Sequence, residues 1–425
     1  MLNAKWRVPF AWTVVGGASL AIWLYLALAR GAFWRLRAFD DDTVTHEPPS
    51  MWPRVVAVVP ARNEAAAIRQ AVTSLLQQNY PGDFSVVLVD DHSEDGTAEI
   101  AQQAARELGA ESRIMIRSAA PLPAGWTGKL WALDGGTAIF GCAPTTSISA
   151  ARHTTSRTAS NNPRTLIPSP AYYWFTDADI VHAPDTLQHL VSRAERDRLD
   201  LASLMVLLHA KTLPERALIP AFLFFFLKLY PPRWIANPKA RTAGAAGGCI
   251  LLRREALQRL GGLAAIRSEV IDDCALARAV KGAGGRVWMG LTRASVSLRA
   301  YTTFREIRDM IARTAFTQLR YSAPLLIGTL LAMFLTYLAP VALLFAHHAA
   351  ARILAACAWL LMSLLYLPTI RFYRLSRAWA LSLPLTALFY SYATLLSAAR
   401  FWLGRGAQWK GRPQAQHEKA NPRQR

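Results

Sequence analysis

Three acidic pairs carry the most chemistry in this 425-residue chain: Asp90-Asp91, Asp177-Ala178-Asp179 and Asp272-Asp273. Carboxylates just past a strand, as Asp90 and Asp91 would be, can accept hydrogen bonds from a nucleobase or ribose. The same run holds Asp95-Gly96, a turn signal, and Thr97, a helix cap. Two carboxylates one residue apart, Asp177 and Asp179, can share a hard divalent cation, which prefers oxygen ligands and bridges phosphate oxygens. Asp272 and Asp273 start a helical pattern, where acidic residues complement the helix dipole; a carboxylate there could equally act as a general base. Gly125-Trp126-Thr127-Gly128-Lys129 adds a glycine-rich approach to a helix N-terminus with an ammonium beside it, suited to a diphosphate. It lacks the Gly-Lys-Ser/Thr ending of the Walker pattern.

The elements that must hold these groups alternate between strand and helix from residue 53 to 321. Residues 54–59 and 85–89 are β-branched-rich runs separated by a helix-period stretch over 64–78. A second helical stretch begins near Thr97, and a short strand follows at 113–116. That alternation predicts βαβ units and a mostly parallel sheet, in which ligands sit beyond the carboxyl ends of the strands. Asn63 and Glu64 follow the first strand, Asp90 and Asp91 the second, and Asp177 and Asp179 the aromatic strand 172–176. Residues 141–170 break the pattern, since 17 of the 30 are Ser, Thr, Asn or Pro and none is acidic. Such a segment cannot bury a core and reads as a disordered insertion looping out of one domain.

Hydropathy sets the rest of the organisation. Residues 8–29 carry no charge and lie between Lys5 and Arg7 on one side and Arg30, Arg35 and Arg37 on the other. That run is long enough to span a bilayer. Ala27-Leu28-Ala29 resembles a cleavage site, but the apolar run exceeds the core of a signal peptide, so an uncleaved anchor is expected. Runs at 323–346, 353–370 and 378–399 predict about three C-terminal spans within 323–399, followed by a basic tail at 400–425. Lys and Arg collect on the cytoplasmic side of spans, which puts the centre inside. The basic tail conflicts with a count of four full spans, unless one run is re-entrant or the tail is an exception. A shorter run, 217–229, suits either a buried core helix or an interfacial segment. Four cysteines, Cys142, Cys249, Cys274 and Cys357, have neither paired nor metal-ligand spacing and read as reduced thiols.

These pieces in this order resemble the family 2 glycosyltransferases of GT-A fold. The strings are VPARNEA (59–65), VDDHSEDGT (89–97), GWTGKLWAL (125–133), FTDADI (175–180), GGCILLRR (247–254) and IDDCALA (271–277). Within that family they are most similar to the hopanoid-associated membrane enzymes. The resemblance implies an α/β, Rossmann-like GT-A domain over 53–321 and an inverting transfer from a nucleotide-sugar, a UDP-sugar favoured, to a membrane lipid. It implies that Asn63 and Glu64 bind substrate, that Asp91, with Asp90 nearby, contacts the nucleoside, and that Lys129 lies near the diphosphate. Asp179 would ligate Mg²⁺ or Mn²⁺, with Asp177 touching ribose or metal; Asp272, which stands where the family usually has Glu, would touch substrate, and Asp273 would be the base. It also implies a bacterial inner-membrane location with a cytoplasmic catalytic domain. Processive synthases of the family carry Gln-x-x-Arg-Trp, whereas this chain has Gln318-Leu319-Arg320-Tyr321, one residue shorter and with Tyr for Trp. Gln318 and Arg320 are still expected to close over donor or acceptor, but the departure argues against polymerisation. Trp409-Lys410-Gly411-Arg412 is similar to the tails of membrane family 2 enzymes and is also a simple aromatic and basic anchor.

The net charge of +20 does not require nucleic acid, because the basic residues flank apolar runs and form no recognition motif. Within the same chemistry, a polysaccharide synthase or a polyprenyl-phosphate glycosyltransferase is the alternative. Outside it stands a degenerate lipid-binding scaffold, which would have no use for three acidic pairs.

Overall fold

A computed structural model describes residues 4–41, 49–141, 168–404, 408–409 and 412–413. Apart from Gly141 and 168–170, the insertion lies outside the described residues. In chain order the first half holds α1 (Ala4–Leu28), β1 (Val55–Ala61), α2 (Ile68–Leu76), β2 (Phe84–Asp90), α3 (Thr97–Glu107), β3 (Ile114–Ser118), α4 (Gly128–Ala138), β4 (Tyr172–Thr176), β5 (Ile180–His182), α5 (Thr186–Arg196) and β6 (Leu201–Leu207). The second half holds α6 (Leu213–Leu229), α7 (Pro232–Ala236), β7 (Cys249–Arg253), α8 (Arg254–Arg259), α9 (Asp272–Gly282), β8 (Val287–Ser297), α10 (Phe304–Gln318), α11 (Ala323–Met333), α12 (Ala339–Leu343), α13 (Ala349–Phe372) and α14 (Leu383–Trp402). The chain divides into two units. One comprises Met1–Ala38, Leu207–Thr242 and Arg299–Gln408, and the other Phe39–Val206, Ala243–Leu298 and Trp409–Arg425.

The second unit is built on an eight-stranded sheet ordered β3-β2-β1-β4-β7-β6-β8-β5. β1, β2, β3 and β4 run parallel. β1 reads VVAVVPA and is buried along its whole length, the continuous apolar run of a strand covered on both faces. Beyond β4 the sheet departs from the expected mostly parallel arrangement: β7 is antiparallel to both β4 and β6, and β5 is antiparallel to β8. The chain leaves β1 toward β2 on one side while β4 lies on the other. The carboxyl ends of β1 and β4 therefore flank a topological switch point, where open α/β sheets bind ligands. Gly136 lets α4 lie close on β1, since a Cβ there would collide with Val58.

The other unit is helical. Four of its helices are long and apolar enough to cross a membrane: Phe10–Leu28, Ala323–Leu343, Ala349–Phe372 and Arg377–Trp402. The second of these changes to π geometry over Phe334–Leu338, between α11 and α12. α6 takes the buried alternative of its two readings. Leu218, Ile219, Leu223, Phe224 and Leu227 are all buried, and the helix packs on α10, α13 and α14. Near its internal Pro220, the Thr386 and Tyr390 hydroxyls donate to the Ala217 and Leu218 carbonyls at 3.1 and 3.0 Å. The entry to α6 is fixed by Glu215, whose buried carboxylate accepts from the Lys211, Thr212 and Tyr301 amides at 2.9, 2.9 and 2.6 Å and lies 2.7 Å from His209 Nδ1. Burial opposes that charge, but these hydrogen bonds outweigh it and hold the carboxyl down at about 2. The short pair Gln408–Trp409 and Arg412–Pro413 forms a separate two-stranded sheet.

Candidate active site

The loops after β1 and β2 are clasped to each other. The Asn63 amide donates to Ser93 Oγ at 2.9 Å, the Glu94 amide to Asn63 Oδ1 at 2.9 Å, and the Glu64 amide to Thr97 Oγ1 at 2.8 Å. Asp95 accepts from the Ala65 amide at 2.9 Å. These bonds delay α2 to Ile68, four residues after the helical pattern begins. The cap of α3 is Gly96 in the left-handed region, and Thr97 is the first helical residue. Asp90 is buried, accepting from the Ser93 amide at 3.1 Å and from the Ser93 hydroxyl. Asp91 is 1% exposed, with Arg62 Nη1 3.7 Å from its Oδ2. Arg62 was not singled out in the sequence, although its place one residue after β1 marks it.

At the switch point, α4, β4 and α9 meet around one ammonium. Lys129 Nζ, on the first turn of α4, lies 2.7 Å from Asp177 Oδ1 at the end of β4 and 3.5 Å from Asp272 Oδ2 at the start of α9. Burial would lower its pKa, but the charges of Asp177, Asp272 and Asp273 outweigh this and hold it well above the ordinary lysine value. Asp273 accepts from the Gly247 amide at 2.9 Å and the Cys274 amide at 2.7 Å. Burial, followed by the charge of Asp272, pushes the Asp273 carboxyl up, against the opposing pull of Lys129. Gly247 is closely surrounded, since a Cβ there would lie 3.2 Å from Lys129 Nζ and 3.4 Å from Asp273 Oδ2. These groups line one cleft together with Pro60 and Thr176.

Asp179 is 9% exposed and accepts from Ser297 Oγ of β8 at 3.3 Å. The pair Asp177 and Asp179 offers oxygen donors only. No group of three or more His, Cys, Asp or Glu that could hold a metal occurs among the described residues. Such a sparse set fits Mg²⁺ or Mn²⁺, which take one or two carboxylates and complete their shells with substrate phosphates and water. Beneath it lies a polar network that sequence reasoning missed. His182 Nε2 is 2.9 Å from Thr176 Oγ1 and its Nδ1 is 2.8 Å from Ser295 Oγ, while Thr176 donates to the Gly248 carbonyl at 3.0 Å. Burial pushes His182 down to about 3, so it stays neutral and serves to orient the end of β4. The Gly247-Gly248 pair before β7 was the available signal, as adjacent glycines mark close backbone approach.

Gln318 and Arg320 belong to the helical unit. Gln318 Nε2 donates to the Tyr230 hydroxyl at 2.7 Å, and Arg320 and Tyr321 make the turn after α10 with φ of 52° and 57°. Cys249, Cys274 and Cys357 are free thiols, the first two buried.

Residues 53–317 match the family described as glycosyltransferase like family 2. Among solved structures the chain is similar to the mannosyltransferase PcManGT from Pyrobaculum calidifontis in complex with GDP-Man and Mn²⁺. The two share 22% identity with a TM-score of 0.51, over 93% of this chain and 98% of that one. A second similar structure is TarS of S. aureus, at 15% identity and a TM-score of 0.36, over 62% of this chain and 40% of that one. No curated protein matches the sequence.

Proposed function

The chain belongs to the glycosyltransferase-like family 2, and from that premise we propose that it is an inverting, divalent-cation-dependent glycosyltransferase acting on a membrane lipid hydroxyl, a hopanoid being the leading candidate. The observation that carries this reading is the convergence of Lys129, Asp177, Asp272 and Asp273 at the switch point of the sheet. Asp273 takes the proton of the acceptor hydroxyl as its oxygen attacks the anomeric carbon from the face opposite the diphosphate. The bond to the acceptor forms, the bond to the diphosphate breaks, and configuration inverts. Lys129 stands where negative charge grows on the leaving group. Asp90, Asp91, Asn63 and Glu64 frame the nucleoside, and Asp272 contacts the transferred sugar.

Charge supports the cation requirement. Three carboxylates surround one ammonium in the cleft, so an anionic diphosphate enters only with further positive charge. Asp177 and Asp179 would hold Mg²⁺ or Mn²⁺, which neutralises the diphosphate as it departs. The solved mannosyltransferase holds GDP-Man and Mn²⁺, so GDP-mannose belongs beside the UDP-sugars in any donor screen. Arg30, Arg35 and Arg37 after the first apolar helix, and Arg371, Arg374 and Arg377 between the last two, support a bacterial inner-membrane protein with its catalytic unit in the cytoplasm. The charge of the helical unit also favours, as a second reading, an acceptor that bears phosphate, such as a polyprenyl phosphate.

The test is incubation of the full chain in membranes with labelled donors, followed by mass analysis of the product. A sugar-bearing hopanoid is the expected result. A polyprenyl-phosphate sugar would select the second reading, and a water-soluble polymer would sink both.

A further inference from the structure

The helical unit is charged far more unevenly than the chain as a whole. Its three segments hold 22 Lys and Arg but only three carboxylates, Glu215, Glu306 and Asp309. All three are engaged: Glu215 at the entry to α6, Glu306 in the capping box of α10, and Asp309 with Arg308 and Arg400 at 2.9 and 2.7 Å. Arg30 and Lys228 are therefore left to each other. Arg30 Nε donates to the Lys228 carbonyl at 3.0 Å, and its guanidinium lies 4.7 Å from the centre of the Trp234 ring. Lys228 Nζ donates to the Tyr337 hydroxyl at 2.7 Å and lies 5.2 and 4.9 Å from the Phe225 and Tyr337 ring centres. Neither cation has a carboxylate partner among the described residues.

Two like charges among aromatic rings pay for desolvation and repulsion, and a cation in such a place is ordinarily neutralised. Aromatic faces and the C-terminal half-charge of α6 offset only part of two full charges. The arrangement is nevertheless tightly built. Gly31 has φ of 64°, and a Cβ there would lie 2.8 Å from Pro231 Cβ and 3.0 Å from Trp234 Nε1, so Arg30 is held against α7. Apolar side chains lie nearby in the sequence: Leu24, Leu28 and Leu229 are exposed, the first two toward the end of α1 and the last next to Lys228.

We propose that Arg30 and Lys228, the latter held in place by the buried Tyr337 hydroxyl, form a binding site for the phosphate group of an anionic membrane lipid, with Leu24, Leu28 and Leu229 meeting its acyl chains. Basic recesses between membrane helices take such headgroups. A free phosphate offers the same chemistry at the cations but leaves the leucines uncovered, so the lipid is the favoured source. Binding here is independent of the sugar acceptor and needs no donor.

The test is native mass spectrometry of the full chain in neutral detergent, titrated with dioleoyl phosphatidylglycerol, with dioleoyl phosphatidylcholine, and with phosphatidylglycerol against millimolar inorganic phosphate. Phosphatidylglycerol should bind in preference to phosphatidylcholine, and the double variant Arg30→Gln, Lys228→Gln should weaken it roughly 30-fold, at about 1 kcal/mol per charge. Lys228→Arg should retain binding and Tyr337→Phe should weaken it, which covers a double variant that fails to fold. No preference for phosphatidylglycerol in the wild type, or equal binding in all variants that fold, would overturn the site. Displacement by inorganic phosphate would overturn its assignment to lipid.

Discussion

Replacing Asp273 by Asn removes the proposed base while changing almost no volume, and the structure sets what else it changes. Each carboxylate oxygen of Asp273 accepts from a backbone amide, Gly247 at one end and Cys274 at the other. The asparagine amide has one acceptor oxygen, so its NH₂ must face one of those two donors. Leaving one partly buried amide without its acceptor costs about 1–3 kcal/mol. A fall in Tm is therefore expected, and thermal unfolding should be followed beside activity. Loss of a general base costs ~10²–10⁴-fold in the chemical step. Lys129, Asp177 and the β1 and β2 loops stay in place, so donor affinity should change little. The assay is kcat for lipid glycosylation together with calorimetric donor affinity. Transfer within tenfold of wild type, with the variant folded, would refute the base assignment. Loss of donor affinity equal to the loss of transfer would show that Asp273 holds substrate and does not move the proton.

Three further outcomes follow from the same contacts. Because burial raises the Asp273 carboxyl and the base must be ionised, kcat should rise with pH along an acidic limb whose midpoint lies above the ~4 of a free aspartate; a flat profile down to that value would count against the base. Gly247→Ala should lower kcat, because its methyl would press on Lys129 Nζ and Asp273 Oδ2 at 3.2 and 3.4 Å, and unchanged kinetics would show that this close approach is idle. Glu215→Gln should destabilise the chain by about 1.5–3 kcal/mol through lost charge-assisted hydrogen bonds. With the folded carboxyl at about 2, that stabilisation is present above ~4.3 and is lost as pH falls toward 2, so melting curves of wild type and variant should converge in acid.

The groups that could do chemistry were legible because they sit at strand ends, where local pattern and function coincide. The aromatic strand Tyr172–Thr176 and the start of α9 at Asp272 fall where the sequence put them. The parallel half of the sheet was equally readable from its β-branched runs. The antiparallel half was not: β7, β6 and β8 pair across long stretches of chain, and no local period reports which neighbour a strand chooses. The start of α2 was misplaced for a related reason. Its apolar period begins at Glu64, but Ser93, Asp95 and Thr97 capture the amides of Asn63 to Ala65. Contacts of that kind depend on two loops meeting. α6 could be read two ways because an apolar helix buried among helices and one lying in an interface have the same composition, and only its packing on α10, α13 and α14 separates them.

The most direct measurement of the central claim is transfer of label from a nucleotide-sugar into extracted lipid by the purified full chain, with and without a chelator. The account predicts a labelled lipid that forms with Mg²⁺ or Mn²⁺, vanishes with EDTA and returns when the metal is restored. Transfer that proceeds undiminished after complete chelation would contradict the role given to Asp177 and Asp179. No labelled lipid with any donor, from a folded chain in its own membranes, would contradict the account as a whole.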